Sequence, residues 1–194
     1  GQGSMHVDVI IDKFQANNNV DVELKAPKIP YRETITGKSD EKYRYKKQTG
    51  GRGQYGEVYF RMEPMPRGGG YEFKDEIKGG VIPSRFIPGI EKGINEAMVA
   101  GPLSKCKVID VSITLYYGSF HAVDSSEQAF KTAAAMCFKE CFLKAKPILL
   151  EPIYDIDVKV PDDFTGYVMC DLSSRRGKIM GMEPSGIFQL IKAQ

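Results

Sequence analysis

The stretch Lys46-Lys47-Gln48-Thr49-Gly50-Gly51-Arg52-Gly53-Gln54-Tyr55-Gly56-Glu57 constrains this chain more than any other. Glycines at 50, 51, 53 and 56 are too dense for a packed helix or strand interior, because glycine loses the most backbone entropy on folding. They permit positive φ and let backbone N–H groups approach another molecule closely. Lys42, Arg44, Lys46, Lys47 and Arg52 make the region cationic, and no acid falls between Glu41 and Glu57. On both sides the pattern is extended, with Val58 and Phe60 set to face one way and Glu57, Tyr59 and Arg61 the other. Two strands around a short glycine loop make a hairpin, so the glycines form its tip. A cationic tip with few side chains, and with Tyr43, Tyr45 and Tyr55 interleaved, suits an RNA backbone and its bases.

The net charge of +2 over 194 residues is nearly balanced, so nucleic-acid affinity must come from such a local patch. Cys106, Cys137, Cys141 and Cys170 form no CxxC pair, and His6 and His121 are the two histidines. Reduced thiols are expected, with Cys137 and Cys141 on one apolar helix stripe as core residues. No metal or cofactor is expected in these residues. With no apolar run near the roughly 20 residues that span a bilayer, the chain reads as soluble and cytoplasmic, without a membrane partner; a monomer is a separate expectation. The start at Gly1-Gln2-Gly3-Ser4 and the end in strand pattern at Gln194 read as a piece of a longer protein.

Along the chain, residues 4 to 17 predict a helix carrying Met5, Val9, Ile10 and Phe14, and residues 20 to 24 a half-buried strand. A proline linker, 26 to 30, precedes an extended polar segment to Gln48 and then the hairpin. Tyr71 to Ile77 predict a strand, and residues 84 to 100 a helix capped by Ser84. Val108, Val111, Ile113 and Leu115 predict one strand that ends at Tyr116-Tyr117-Gly118-Ser119. A second loop, residues 118 to 123, leads into Asp124-Ser125-Ser126-Glu127, which reads as a capping box with Asp124 as cap. Its helix runs to about Lys146, and Pro147 marks the next boundary. Beyond it a strand, a helix and two strands predict β-α-β-β, the front of a ferredoxin-like unit.

No GxSxG, HExxH or GxxxxGK[ST] is present. The G-x-G-x-x-G string from Gly51 neither follows a buried strand nor opens a helix, so it fails as a dinucleotide fingerprint. His121 has no nearby nucleophile or acid in an evident triad. No catalytic residue is assigned.

Four segments in order, Gly50 to Gly56, Gly79-Gly80-Val81-Ile82-Pro83, Ser119 to Glu127 and Ser174 to Pro184, together resemble elongation factor G over essentially the whole chain. The resemblance implies an α+β architecture. Residues 1–26 would close domain III, and 27–148 would be domain IV, like the second domain of ribosomal protein S5 with a left-handed βαβ crossover. Residues 149–194 would open ferredoxin-like domain V. It further implies that Lys47, Gly50, Gly51, Arg52, Gly53 and Gln54, with Ser119, Phe120 and His121, form two tip loops that meet transfer and messenger RNA at the ribosomal decoding centre during translocation. Arg175 and Arg176 become candidate ribosomal RNA contacts, and the ribosome the partner. This fragment would hold no GTPase activity; GTP and Mg would belong to the parent's G domain. Tyr117 departs from an acidic residue in the family pattern, Phe120 from tyrosine and Ala122 from glutamate. These departures leave a specialised paralogue open, in recycling or ribosomal protection, and a stand-alone RNA-binding module is the alternative from another class.

Overall fold

In the computed structural model the described residues are 4–25, 27–48 and 53–194. Helix α1 (Ser4–Asn18) forms where its apolar period predicts, and Asn19 leaves it with positive φ of 49°. Residues 20–25 take no strand, and Val20, Val22 and Leu24 stay exposed. Alternation supplies two faces, but a strand also needs a neighbour, and none of the described strands pairs with this segment.

Strand β1 (Arg32–Ile35) is followed by β2 (Ser39–Lys47), so the extended segment expected up to Gln48 is two strands. Next come β3 (Gln54–Pro64), β4 (Tyr71–Asp75) and α2 (Ile87–Val99). Ser84 does not cap α2. It opens a single 3-10 turn, Ser84–Phe86, whose cap position is Pro83. After α2 come β5 (Lys107–Val108), β6 (Val111–Ser119), α3 (Glu127–Lys144) and β7 (Pro147–Leu150). The single strand expected through Val108 and Leu115 is thus β5 and β6, in different sheets. Between them Asp110 has φ 58°, and its carboxylate accepts the Gly70 N–H at 2.9 Å. The unit closes with β8 (Ile156–Pro161), α4 (Thr165–Ser174), β9 (Ile179–Ser185) and β10 (Phe188–Ala193).

The main sheet has the order β2-β3-β6-β4. β2 and β3 form the antiparallel hairpin from Ser39↔Met62 to Lys47↔Gln54, and β3 also pairs antiparallel with β6. β4 lies parallel to β6, and α2 makes the crossover between them. One face of this sheet is covered. Val58, Phe60 and Met62 of β3 and Ile113 and Leu115 of β6 pack with Ile90 and Ile94 of α2 and with Phe130, Phe138 and Phe142 of α3 in one core. Cys137 and Cys141 belong to that core, with their thiols toward the Val58 and Phe60 carbonyls.

A smaller sheet, β5-β1-β7, sits at the end of α3 away from the hairpin tip. Pro147, expected as a boundary, is where α3 gives way to β7, and as the first residue of β7 it lies opposite Ile35. A strand's first residue is a position where proline is tolerated, since it has no N–H for the ladder. The last four elements form β-α-β-β as expected. Their strands run antiparallel in the order β8-β10-β9, over a core of Val160, Leu172, Ile191 and Ala193.

Candidate nucleic-acid interface

The hairpin brings Lys46 and Lys47 opposite Tyr55 and Gln54 at its end, with Gln48 just beyond. Gly50, Gly51 and Arg52 lie outside the described residues; Gly53 is the first described residue after them. The second loop, from Ser119 to Ser126, sits beside this end, and two sets of hydrogen bonds fix it there.

The first set is built on Ser125, which is buried. Its hydroxyl accepts the His121 backbone N–H at 2.8 Å and donates to the Tyr55 carbonyl at 2.9 Å. The Ser125 N–H returns to the His121 carbonyl at 3.0 Å, and the Tyr55 N–H donates to the Asp124 carbonyl at 3.0 Å. One serine therefore closes the histidine turn on itself and bolts it to β3. The loops meet closely: a Cβ at Gly53 would lie 3.0 Å from the Asp124 carboxylate, which would have to give by a few tenths of an ångström. A Cβ at Gly118 would run into the Glu57 carbonyl and Ile82.

The second set surrounds Glu57, 5% exposed on β3. Its carboxylate accepts the Ser119 hydroxyl at 2.6 Å and the Arg44 guanidinium at 2.9 Å. Ser119 has one proton and gives it to Glu57, so the Tyr55 hydroxyl is the donor in the 2.6 Å contact with Ser119. Burial pushes the Glu57 carboxyl up, but the bonds from Ser119 and Arg44, with the Arg44 charge, outweigh it, and the net displacement is below the ordinary value. The Arg44 guanidinium is shifted up, through its hydrogen bond to Glu57 and then that carboxylate's charge. A carboxylate under the tip is thereby neutralised and does not repel an approaching phosphate.

Asp124 is not the cap of α3. That role falls to Ser126, whose hydroxyl accepts the Ala129 N–H at 3.1 Å. Asp124 instead serves the loop: its backbone N and its Oδ2 both lie 3.3 Å from His121 Nδ1. The neutral ring accepts from the backbone N–H, and the protonated ring donates to the carboxylate. Either way Nδ1 is engaged within the loop, which leaves Nε2 as the ring nitrogen for an outside partner. The Tyr55 ring meets the imidazole edge-on, with centroids 6.5 Å apart, and the His121 side chain is 58% exposed. Phe120 is exposed beside it. Between the loops is a cleft of about 190 Å³, with Lys46, Lys47 and Gln48 on one wall, His121 and Asp124 on the other, and Gly53, Gln54 and Tyr55 between.

Of the residues singled out in the sequence, Lys47, Gly53, Gln54, Ser119 and His121 are brought together here. Gln54 also accepts the Tyr45 hydroxyl at 3.0 Å. Ser119 faces inward to Glu57 and acts as a strut, not as a projecting group. Arg175 and Arg176 belong to the separate β-α-β-β unit, after α4. Arg175 pairs with Asp171 and Arg176 with Glu151, each at 2.9 Å. Sequence reasoning missed the parts played by Glu57, Asp124 and Ser125. Their one available signal was polarity at positions flanking both loops, which capping explained equally well.

Two family models match the chain: Elongation factor G, domain IV, over residues 27–146, and Elongation factor G C-terminus, over residues 148–194. The chain is 53% identical over 186 residues to the Elongation factor G-like protein of Thermotoga maritima, a match covering 96% of this chain and 27% of that protein. It is 47% identical over 193 residues to Elongation factor G of Aquifex pyrophilus, covering 100% of this chain and 28% of that one. A crystal structure from Thermus thermophilus superposes with a TM-score of 0.88 at 44% identity, over 100% of this chain and 29% of that one. The chain therefore spans little more than a quarter of the length of these relatives.

Proposed function

The chain belongs to the elongation factor G family, and from that premise we propose that it is the ribosome-engaging part of a translational GTPase. In this reading the two-loop tip enters the decoding centre of the small subunit and accompanies transfer and messenger RNA as they move. The observation that carries it is the cationic cleft between the loops, lined by Lys46, Lys47 and His121, with His121 held by its Nδ1 side. The lysines offer charge to phosphates, Nε2 offers a hydrogen bond to a ribose or phosphate, and the buried Ser125 and Glu57 networks keep both in place. Such a tip needs no covalent step. It biases an equilibrium between RNA positions by contacting one of them better. GTP and its Mg would be bound by a G domain elsewhere in the parent protein, which would act in the cytoplasm as a monomer contacting both ribosomal subunits.

The test uses the full-length parent. His121→Ala should slow messenger RNA movement while leaving ribosome-stimulated GTP hydrolysis nearly intact; equal loss of both would sink the tip assignment. Replacing Lys47 and Arg52 with neutral residues should weaken ribosome binding more at low salt than at high salt, as expected for screened phosphate contacts.

A specialised form of the factor is the second reading, favoured by Tyr117, Phe120 and Ala122 beside the tip. The Thermotoga relative also carries the name Elongation factor G-like protein. A purified parent that splits spent ribosomes but does not move messenger RNA would establish it.

A further inference from the structure

The main sheet has one face covered by α2 and α3; the other is open. On that open face β3 and β6 slip by one residue: Tyr59 lies opposite Tyr117, and Phe60 opposite Leu115. Tyr116 is the extra residue of a β-bulge, in which two residues of one strand oppose one of the other. Normal alternation would send Tyr116 and Tyr117 to opposite faces. The bulge keeps both beside Tyr59, whose ring centroid is 6.0 Å from Tyr116 and 5.1 Å from Tyr117, edge-on in each case. Three tyrosines from β3 and β6 thus gather on one side, only two residues before the tip loop begins at Ser119.

Cations frame this cluster. Lys42 Nζ stands 5.8 Å from the Tyr59 ring centre and Arg61 Cζ 5.1 Å from that of Tyr116. The nearby acid, Asp40, accepts the Tyr116 hydroxyl at 2.6 Å and faces Arg61 at 3.8 Å, so its charge is countered within the cluster. Further along β2 toward the tip come Arg44, held by Glu57, and then Lys46 and Lys47 at the cleft. Tyr117 is 47% exposed and presents the most open ring of the three.

We propose that Tyr59, Tyr116 and Tyr117, with Lys42 and Arg61, form a stacking platform for unpaired RNA bases on the open sheet face, continuous with the two-loop tip. Aromatic rings take any base because every base has a π-face, and the flanking cations follow the backbone between stacked positions. The proposal rests on the reading of the tip as an RNA contact, and extends the contact surface from the tip along β3 and β6. It commits to single-stranded RNA as the occupant; a paired stem buries its base faces and could use the cations alone.

The test measures binding of the full-length factor to a short fluorescein-labelled oligoadenylate and to an RNA duplex of the same length. Tyr117→Phe keeps the ring and should bind as wild type. Tyr117→Leu keeps apolar area without a π-face and should weaken the single strand roughly tenfold, the scale of one lost stacked base, while leaving the duplex within about twofold. Since no charge is removed, that loss should persist across salt concentrations, whereas Lys42→Ala should reduce the salt slope. Wild-type affinity in Tyr117→Leu would overturn the platform; RNA binding indifferent to Tyr117→Leu but weakened by Tyr117→Asp would reduce the surface to a charge contact and overturn it too. No oligoadenylate binding by the wild type would overturn it as well. A combined Lys47→Ala and His121→Ala variant separates the two readings. If it alone loses RNA, the tip stands and the platform fails; if Tyr117→Leu alone loses RNA, the platform stands and the tip reading fails.

Discussion

Two buried glutamates, Glu33 on β1 and Glu57 on β3, solve the same problem in different ways. Each takes a carboxylate out of water, which is costly unless hydrogen bonds replace the lost solvation. Glu33, fully buried, is met by backbone: the N–H groups of Leu103, Ser104 and Cys106 donate to it at 3.0, 2.7 and 2.9 Å. Glu57 is met by side chains, from Arg44 and Ser119, with the Tyr55 hydroxyl donating to Ser119 behind them. Backbone donors are present whatever the loop's side chains, so the Glu33 end is a fixture of the fold. Side-chain donors come from residues that can change one at a time. The Glu57 end therefore couples the hairpin to the histidine loop through groups that can be altered while the sheet beneath them stays folded.

The largest effect should come from Glu33→Ala. Three amide donors would lose a buried carboxylate partner, and the loss should be about 3 kcal/mol in denaturant-induced unfolding. A loss under about 1 kcal/mol would show that the backbone cradle adds little, and would erase the contrast. Glu57→Gln should cost about 1–3 kcal/mol and, unlike Glu33→Ala, should raise hydrogen exchange in residues 119–125 selectively. Uniform exchange increases in both variants would break the distinction between fixture and coupling.

Acid sharpens the same point. Because the folded Glu57 carboxyl lies below its ordinary value, the unfolded chain takes up its proton first as pH falls. Its contribution is therefore fully present above the ordinary glutamate range and is lost as pH falls through the lower folded value. Wild type should exceed Glu57→Gln in stability by a constant margin near neutrality, and the margin should shrink in acid. A margin that grows as pH falls would reverse the sign of the account.

Smaller still is Ser125→Ala, at about 1–2 kcal/mol, with faster exchange at the His121 amide as its signature. Smallest is His121→Ala, which should change stability by less than about 0.5 kcal/mol because the ring is exposed; in the proposed reading its effect is on RNA binding.

Much of the scaffold was legible in the sequence because it rests on periodicity. The alternation around Val58 and Phe60, the stripe through Phe130, Cys137 and Cys141, and the β-α-β-β order each report a face that must be buried. What escaped depends on choices that periodicity does not encode. The break between β5 and β6 turns on a non-glycine residue, Asp110, with positive φ, a conformation held by its own carboxylate's contacts and rare for such residues. The cap moved from Asp124 to Ser126 because Asp124, Ser125 and Ser126 all carry a suitable oxygen, and two of them were taken by the loop. The bulge that gathers Tyr59, Tyr116 and Tyr117 is a property of strand register, visible only once β3 and β6 are paired. At the tip, the approach of the second loop to the hairpin follows from Tyr55 and Ser125, neither of which stands out in composition. Gly50, Gly51 and Arg52 lie outside the described residues, so the glycine-rich end of the tip is framed by its neighbours Gln48 and Gly53.

The most direct test of the two-loop tip is site-directed hydroxyl-radical cleavage from the full-length parent on ribosomes. Cys106→Ser and Cys170→Ser would remove the more accessible thiols, and an iron chelate would be tethered through Phe120→Cys. The account predicts cuts in small-subunit RNA around the decoding centre, and their loss from the same positions when the tether moves to Leu103, beside the Glu33 cradle. Equal cleavage from both tethers, or cleavage confined to the large subunit, would contradict it.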